Sequence, residues 1–347
     1  MPNSWARAFS HLWEKVSREG ATDEGGRDLA EAFARTLIRP LLRKGHLLPQ
    51  GGEGKRGPRG WVLALLLCLA SPAFAQSPPL LVVASFSILG DFVREVGGSG
   101  VDVSTIVGPN GDAHVYEPTP GDGRKLAGAR LVFVNGLGFE GWIDRLIAAS
   151  KTKARIVTVS AGVAPRRNEA GLDPHAWQNV ANARRYVENI RDALMAADPS
   201  RAKLFEANAA VYLIKLDALD REILGALETI PPARRRIVST HDAFGYFSAR
   251  YGLEFIAPQG VSTEAEASAR DIARIIDAVK REKVGAVFLE NIADPRLAQS
   301  IAAQTGARIG GTLYSDALSD AKGPAATYIE MIRHNVKELV EALGGGK

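Results

Sequence analysis

From Pro79 onward the chain alternates short apolar runs of β type with segments of helical period. LLVVASF (80–86) is rich in Leu and Val and predicts a buried strand. SILGDFVREVGG (87–98) places Ile88, Leu89, Phe92, Val93 and Val96 on one helical face and ends in a glycine stop. VDVSTIV (101–107) predicts a second strand, followed by the loop GPNGDAHVYEPTPGD. A short helix at 124–129, strand RLVFVN (130–135), helix EGWIDRLIAAS and strand RIVTVS (155–160) complete the first region. This order implies a mostly parallel sheet with helices on its faces.

The middle differs. Residues 179–197 read as helix, and Asp198-Pro199 then supplies an N-cap and a first-turn proline. A long helical pattern follows to Thr229, carrying Leu204, Ala207, Val211, Ile214, Leu219, Ile223 and Leu227 until Pro231-Pro232 stops it. A helix of about 30 residues is roughly 45 Å long, which suits either a rigid connector between lobes or a packed helix hairpin. The α/β pattern then restarts. Strands are expected at 235–240, 253–258, 284–290 and 307–314, with helices between them and a last helix at 325–343. The expected fold class is therefore α/β, with two parallel-sheet lobes joined by one long backbone helix. The expected lobes are 76–197 and 231–347, and the linker helix is 198–230. GLGFEG (136–141) is not expected to be a dinucleotide loop.

The amino terminus changes the picture of charge. The apolar run WVLALLLCLA (61–70) has ten residues, short of the roughly 18 that a spanning helix needs. Lys55, Arg56 and Arg59 precede it and Ala73-Phe74-Ala75 follows. Together these predict a signal peptide over 55–75, cut after Ala75, and a periplasmic mature protein. Cys68 lies in the apolar core behind Leu67 rather than a small residue, which argues against a lipid-anchoring cysteine. Residues 1–54 form an N-terminal extension, read as a start assigned too far upstream or as an extended targeting region. Residues 1–75 hold 11 Lys+Arg and 7 Asp+Glu, whereas the remainder holds 32 of each. The net charge of +4 thus belongs to the leader, and no nucleic-acid partner is expected. A single cysteine excludes a disulfide framework and a Cys-based zinc site.

Three of the four remaining histidines lie just beyond expected strands: His114 in GDAHVYEPTP, His175 in GLDPHAW and His241 in STHDAF. Asp316 in LYSDALSD holds the corresponding place after the last strand. Ligands of open α/β sheets bind beyond the carboxyl ends of strands, so two candidates in each lobe would face one another. Three imidazoles and a carboxylate suit a divalent transition metal. The spacings of 61, 66 and 75 residues preform nothing locally; each histidine alone fits a capping or hydrogen-bonded loop residue better, and only the three together at strand ends bring the metal reading level with it. Asp112, Asp173 and Asp242 stand beside the histidines, placed to orient imidazoles or to add negative potential. Glu290 is open to an auxiliary role at the site or to capping the next helix. His334 on the last helix reads as a surface residue.

FSILGDFVREVGG, GDAHVYEPTP, LVFVNGLGFEGW, LDPHAWQNV, FEANAAVYLIKLDALD, STHDAFGYFSARYGL, GVSTEAEASARDI, VFLEN and LYSDALS run in order from about 80 to 343. In this the chain resembles the metal-binding periplasmic solute-binding proteins that feed zinc or manganese to ABC importers. The resemblance implies two α/β lobes bridged by a backbone helix, metal ligands at His114, His175, His241 and Asp316, and a membrane permease as partner. A monomer is expected, and without the family disulfide the second lobe must rely on packing alone. Within that family the third position is Glu in manganese-type members and His in many zinc-type ones, so His241 favours Zn²⁺ as cargo over Mn²⁺. The stretch AGVAPRRNEAGL (161–172) is short, with two arginines and no His-rich loop.

The rival class is a secreted metal-dependent hydrolase. Catalytic zinc keeps an open water position, whereas four protein ligands close the sphere. Neither G-x-S-x-G nor H-E-x-x-H occurs, so no enzyme is expected. An organic solute would need an aromatic cleft, for which Trp142, Trp177, Tyr116 and Phe244 are available, although they equally fit packing around a small site.

Overall fold

A computed structural model describes residues 77–168 and 171–344; the expected signal peptide and N-terminal extension lie outside these residues. The first lobe contains β1 (Leu80–Phe86), α1 (Ser87–Gly97), β2 (Val101–Val107), α2 (Pro120–Gly128), β3 (Leu131–Val134), α3 (Ile143–Ser150) and β4 (Arg155–Thr158). Its sheet has the order β2-β1-β3-β4, with every pairing parallel. A small antiparallel hairpin, β5 (Arg166–Asn168) and β6 (Gly171–Asp173), then precedes α4 (Val180–Ala197) and α5 (Ala202–Glu228). The second lobe runs through β7 (Arg236–Val238), α6 (Gly245–Tyr251), β8 (Glu254–Ile256), α7 (Ala269–Glu282), β9 (Ala286–Glu290), α8 (Pro295–Thr305), β10 (Arg308–Leu313) and α9 (Tyr328–Leu343). Its sheet is also parallel, in the order β10-β9-β7-β8.

The central strands β1, β3 and β9 are almost wholly apolar and buried on both faces, as helix-covered parallel strands must be. The long helix is real but starts later than its sequence implies. Asp198 accepts from the amides of Ser200 and Arg201 and so caps a 3₁₀ turn, and the α-helix begins only at Ala202. Its 27 residues span about 40 Å. Its buried stripe is Phe205, Ala209, Tyr212, Leu216, Leu219, Ile223 and Leu227, whereas Val211 and Ile214 face outward. α2 begins earlier than expected because Thr119 forms a capping box with Asp122 and Pro120 takes the first turn. Within the short 161–172 stretch, Arg166–Asn168 forms β5 and pairs with β6.

One apolar cluster runs from the first sheet through α4, α5 and α9 into the second lobe. Phe92 of α1 joins them directly, with ring centroids 6.2 Å from Tyr186, 6.2 Å from Tyr212 and 4.7 Å from Tyr328. The four rings come from α1, α4, α5 and α9, so the lobes share a core rather than hanging on a flexible tether. A second, smaller cluster packs α7 and α8 against β7 and β9. Among the described residues no helix is long and apolar enough to cross a membrane.

Candidate metal centre

Four loops at the carboxyl ends of strands meet between the sheets. His114 follows β2. Its amide donates to Asp112 Oδ1 (2.9 Å), and Trp142 Nε1 donates to the neighbouring Ala113 carbonyl (2.7 Å). His175 follows the hairpin. Asp173 Oδ1 accepts from the His175 amide and lies 3.0 Å from its Nδ1. His241 follows β7. Glu290 Oε1 accepts from the amides of Thr240 (2.7 Å) and His241 (2.9 Å), while Oε2 lies 2.6 Å from His241 Nδ1. Asp316 follows β10, and the carbonyl of the preceding Ser315 accepts from Trp177 Nε1 and Gln178 Nε2. The second lobe's carboxylate loop is therefore held by residues of the first.

The structure brings His114, His175, His241 and Asp316 together, with one potential ligand atom from each all within 4.8 Å of one another. The Nε2 atoms of His114 and His175 are 3.3 Å apart. Asp316 Oδ2 is 3.3 Å from His114 Nε2 and 3.1 Å from His241 Nε2, and Oδ1 is 3.5 Å from His175 Nε2. All four residues are buried, His114 at 5% exposure and the others at 0%. Asp316 Oδ1 has no hydrogen-bond partner among the described residues. A carboxylate buried in that state needs a counter-charge.

The electrostatics are those of an anion among basic rings. Burial would raise the Asp316 carboxyl, but the charges of His175 and His241 outweigh it and hold it well below the usual carboxylate range. Burial would lower His175, yet Asp316 and Asp173 push it up to about 9. His241 is likewise pushed well above its ordinary value, burial being overcome by Glu290 and Asp316. With Asp173 and Glu290 behind their Nδ1 atoms, the rings of His175 and His241 present Nε2 to the centre.

A family model for the periplasmic component A of zinc-uptake complexes (ZnuA) matches residues 82–342. The manganese-binding lipoprotein MntA of Halalkalibacterium halodurans is 36% identical over 266 residues, 76% of this chain and 88% of that protein. The iron-binding protein YfeA of Yersinia pestis is 32% identical over 294 residues, 82% of this chain and 94% of that protein. The solved periplasmic zinc-binding protein TroA of Treponema pallidum superposes with a TM-score of 0.73 at 31% identity, over 76% of this chain and 99% of its own. The chain belongs to the ZnuA family of metal-binding substrate-binding proteins of ABC importers.

Several finer expectations need correction in this ZnuA-family chain. Of the three aspartates beside the histidines, only Asp173 meets an imidazole. Asp112 takes the His114 amide and the Thr263 hydroxyl, and Asp242 accepts from Asn168 Nδ2. Glu290 reaches His241, and the cap of α8 is Asp294. His334 is half-buried rather than on the open surface, with Nε2 3.0 Å from the Thr312 carbonyl oxygen. GLGFEG does carry the G-x-G-x-x-G spacing, but buried Glu140 already accepts from the amides of Asn135 and Gly136, where a phosphate would need them. Trp142, Trp177 and Phe244 are buried in packing.

The sequence reading missed a support behind His175. Glu140 also accepts from Ser85 Oγ (2.6 Å). Asn135 donates through Nδ2 to the Pro174 carbonyl (2.9 Å) and accepts from Tyr186 O–H (2.6 Å). No local pattern announces such a chain, because Asn135 and Glu140 lie 39 to 55 residues from the Ser85, Pro174 and Tyr186 groups they bind.

Proposed function

We propose that this protein captures one divalent transition metal in the periplasm, Zn²⁺ in preference to Mn²⁺, and delivers it to the membrane permease of an ABC importer. The observation that carries the reading is the convergence of three imidazole Nε2 atoms on a buried carboxylate with an unpartnered oxygen. A divalent cation there would neutralise Asp316 and displace the protons that otherwise stabilise it. The relatives are named for manganese, iron and zinc, so the metal is read from the donors. Three nitrogens and one oxygen suit zinc, whereas manganese favours oxygen-rich sets. We read the site as binding rather than catalytic because four protein ligands fill a tetrahedral zinc and leave no water position.

Ligands from both lobes make the bound ion a tie between them, and the shared core keeps the accompanying motion small. The loaded surface is then what the permease would recognise. Export through the 55–75 signal, cut after Ala75, would place the protein in the right compartment as a soluble monomer. The test is reconstitution of the purified protein, elemental analysis, and competition between Zn²⁺ and Mn²⁺. One metal per chain with Zn²⁺ bound more tightly is expected. No bound metal sinks the proposal, and tighter Mn²⁺ overturns the choice of cargo.

A further inference from the structure

The β5–β6 register sets Arg166 opposite Asp173. Arg166 Nε lies 3.4 Å from Asp173 Oδ2, while Oδ1 of the same carboxylate holds the amide and Nδ1 of His175. The buried carboxylate thus has one oxygen for the arginine and one for the imidazole. Arg166 also leans on the other lobe. Its amide donates to Tyr246 O–H (2.8 Å), and its guanidinium sits 5.8 Å from the centre of the Tyr246 ring. Gly245 makes the approach possible. A Cβ there would lie 2.6 Å from Asp173 Oδ2 and 2.9 Å from an Arg166 Nη. Two residues along the same strand, Asn168 Nδ2 donates to Asp242 Oδ2 (2.7 Å), beside His241.

We propose that Arg166 is a positioning residue for the metal, fixing Asp173 so that His175 presents Nε2 to the site, and that β5 straps the His175 loop to the His241 loop across the lobes. This rests on the four-residue centre being a metal site. The Arg166 side chain is 38% exposed. Water can take the place of the guanidinium beside the buried Asp173, so losing the guanidinium costs folding little. Its effect should therefore fall on the ligand that Asp173 orients rather than on stability.

The experiment compares the purified wild type with Arg166→Ala, Arg166→Lys, Asp173→Asn, the Arg166→Ala/Asp173→Asn double variant and Arg167→Ala, which alters the exposed neighbour on the same strand. Chelator competition and chelator-chased release measure Zn²⁺ affinity and off-rate, and visible absorption of the Co²⁺-loaded protein reports ligand geometry. Arg166→Ala is expected to weaken Zn²⁺ about tenfold, hasten release and shift the Co²⁺ bands, as loss of an outer partner does. Arg166→Lys should recover part of this, Arg167→Ala should match wild type, and the double variant should be no worse than Asp173→Asn alone. The metal-free melting temperature should hold within a few degrees. The inference is overturned if Arg166→Ala matches Arg167→Ala, if its effect adds fully to that of Asp173→Asn, or if its affinity loss follows lost stability with an unchanged Co²⁺ spectrum. A wild type that binds no metal sinks the metal reading itself, and this inference with it.

Discussion

His175 and His241 face each other across the lobes, and each has a carboxylate behind its Nδ1, yet the two carboxylates are anchored differently. Glu290 ends β9 and clamps the amides of Thr240 and His241 with one oxygen while the other faces the ring. Ring and main chain are thus set by a single buried group of the same lobe. Asp173 sits on a two-stranded hairpin and shares itself with Arg166, which leans on the opposite lobe. His114 has a third arrangement. Its ring packs edge-on to Phe139 and its loop is held through Asp112 and Trp142, with no carboxylate behind the ring among the described residues. The second lobe therefore carries a histidine preset by its own sheet, whereas the first lobe's histidines depend on loops that touch the other lobe.

The largest test of this asymmetry is His241→Ala. It removes a nitrogen donor and strands Glu290, which burial would raise but His241 now holds below its usual range. Zn²⁺ affinity should fall by more than about 100-fold, beyond the usual cost of an outer partner. Removing one member of a buried pair should also cost about 3–5 kcal/mol in the metal-free protein. Chelator competition and thermal melts measure both. Retention of affinity within tenfold would break the comparison.

Next in size are Glu290→Gln and Asp173→Asn. Outer-partner losses run from about 10- to 100-fold in metal affinity. Glu290→Gln should fall near the upper end because Glu290 holds two amides and the ring from the end of a sheet strand. Asp173→Asn should fall near the lower end because Asp173 holds one amide and the ring from a two-stranded hairpin. The reverse order in the same assay would place the preset half in the first lobe instead.

Which parts of this arrangement could be read beforehand follows from physics. Strands such as Leu80–Phe86 and Ala286–Glu290 are largely apolar runs, so their existence is legible in composition, and the alternating β/α order supplies their parallel pairing. Loops beyond strand ends gather in an open α/β sheet, so the meeting of His114, His175, His241 and Asp316 was legible too. The supports were not. Asp112, Asp173 and Asp242 look equivalent in sequence, but only the hairpin turns Asp173 toward its ring. The hairpin itself is built of RRN against GLD, with no apolar alternation to betray it. Val211 and Ile214 fit a helical stripe yet face outward, because α5 is buried by the stripe running through Phe205 and Tyr212.

A smaller, graded effect comes from pH. With His175 raised to about 9, the metal-free centre is protonated at pH 7 and an incoming ion must displace that charge. Zn²⁺ affinity should therefore rise by up to about tenfold per pH unit per displaced proton between pH 6.5 and 9. The sign for folding is opposite. A histidine whose folded value exceeds its unfolded value stabilises fully below about 6.5, and that contribution fades as pH rises through about 9. Metal-free melting temperature should then fall over the window in which metal-induced stabilisation grows. Calorimetry in buffers of different ionisation enthalpy should show proton release at pH 7. Asp173→Asn should flatten this dependence, because Asp173 is one of the carboxylates that hold His175 up.

The smallest effect is expected at His334, the one described histidine away from the centre. Its Nε2 meets the Thr312 carbonyl on β10, and its ring lies edge-on to Tyr314, two residues before Asp316. Thr312 also pairs with Leu289, next to Glu290, so the contact lies on the pair of strands of which one ends at Glu290 and the other leads to Asp316. If that lobe is preset by its sheet, one edge contact is redundant for the site. His334→Ala should then cost about 1 kcal/mol of stability, the worth of one partly buried hydrogen bond, and leave Zn²⁺ affinity within twofold. A tenfold loss of affinity in His334→Ala would mean that the Asp316 loop takes its position from α9 rather than from β9 and β10, and the second lobe would then be no better preset than the first.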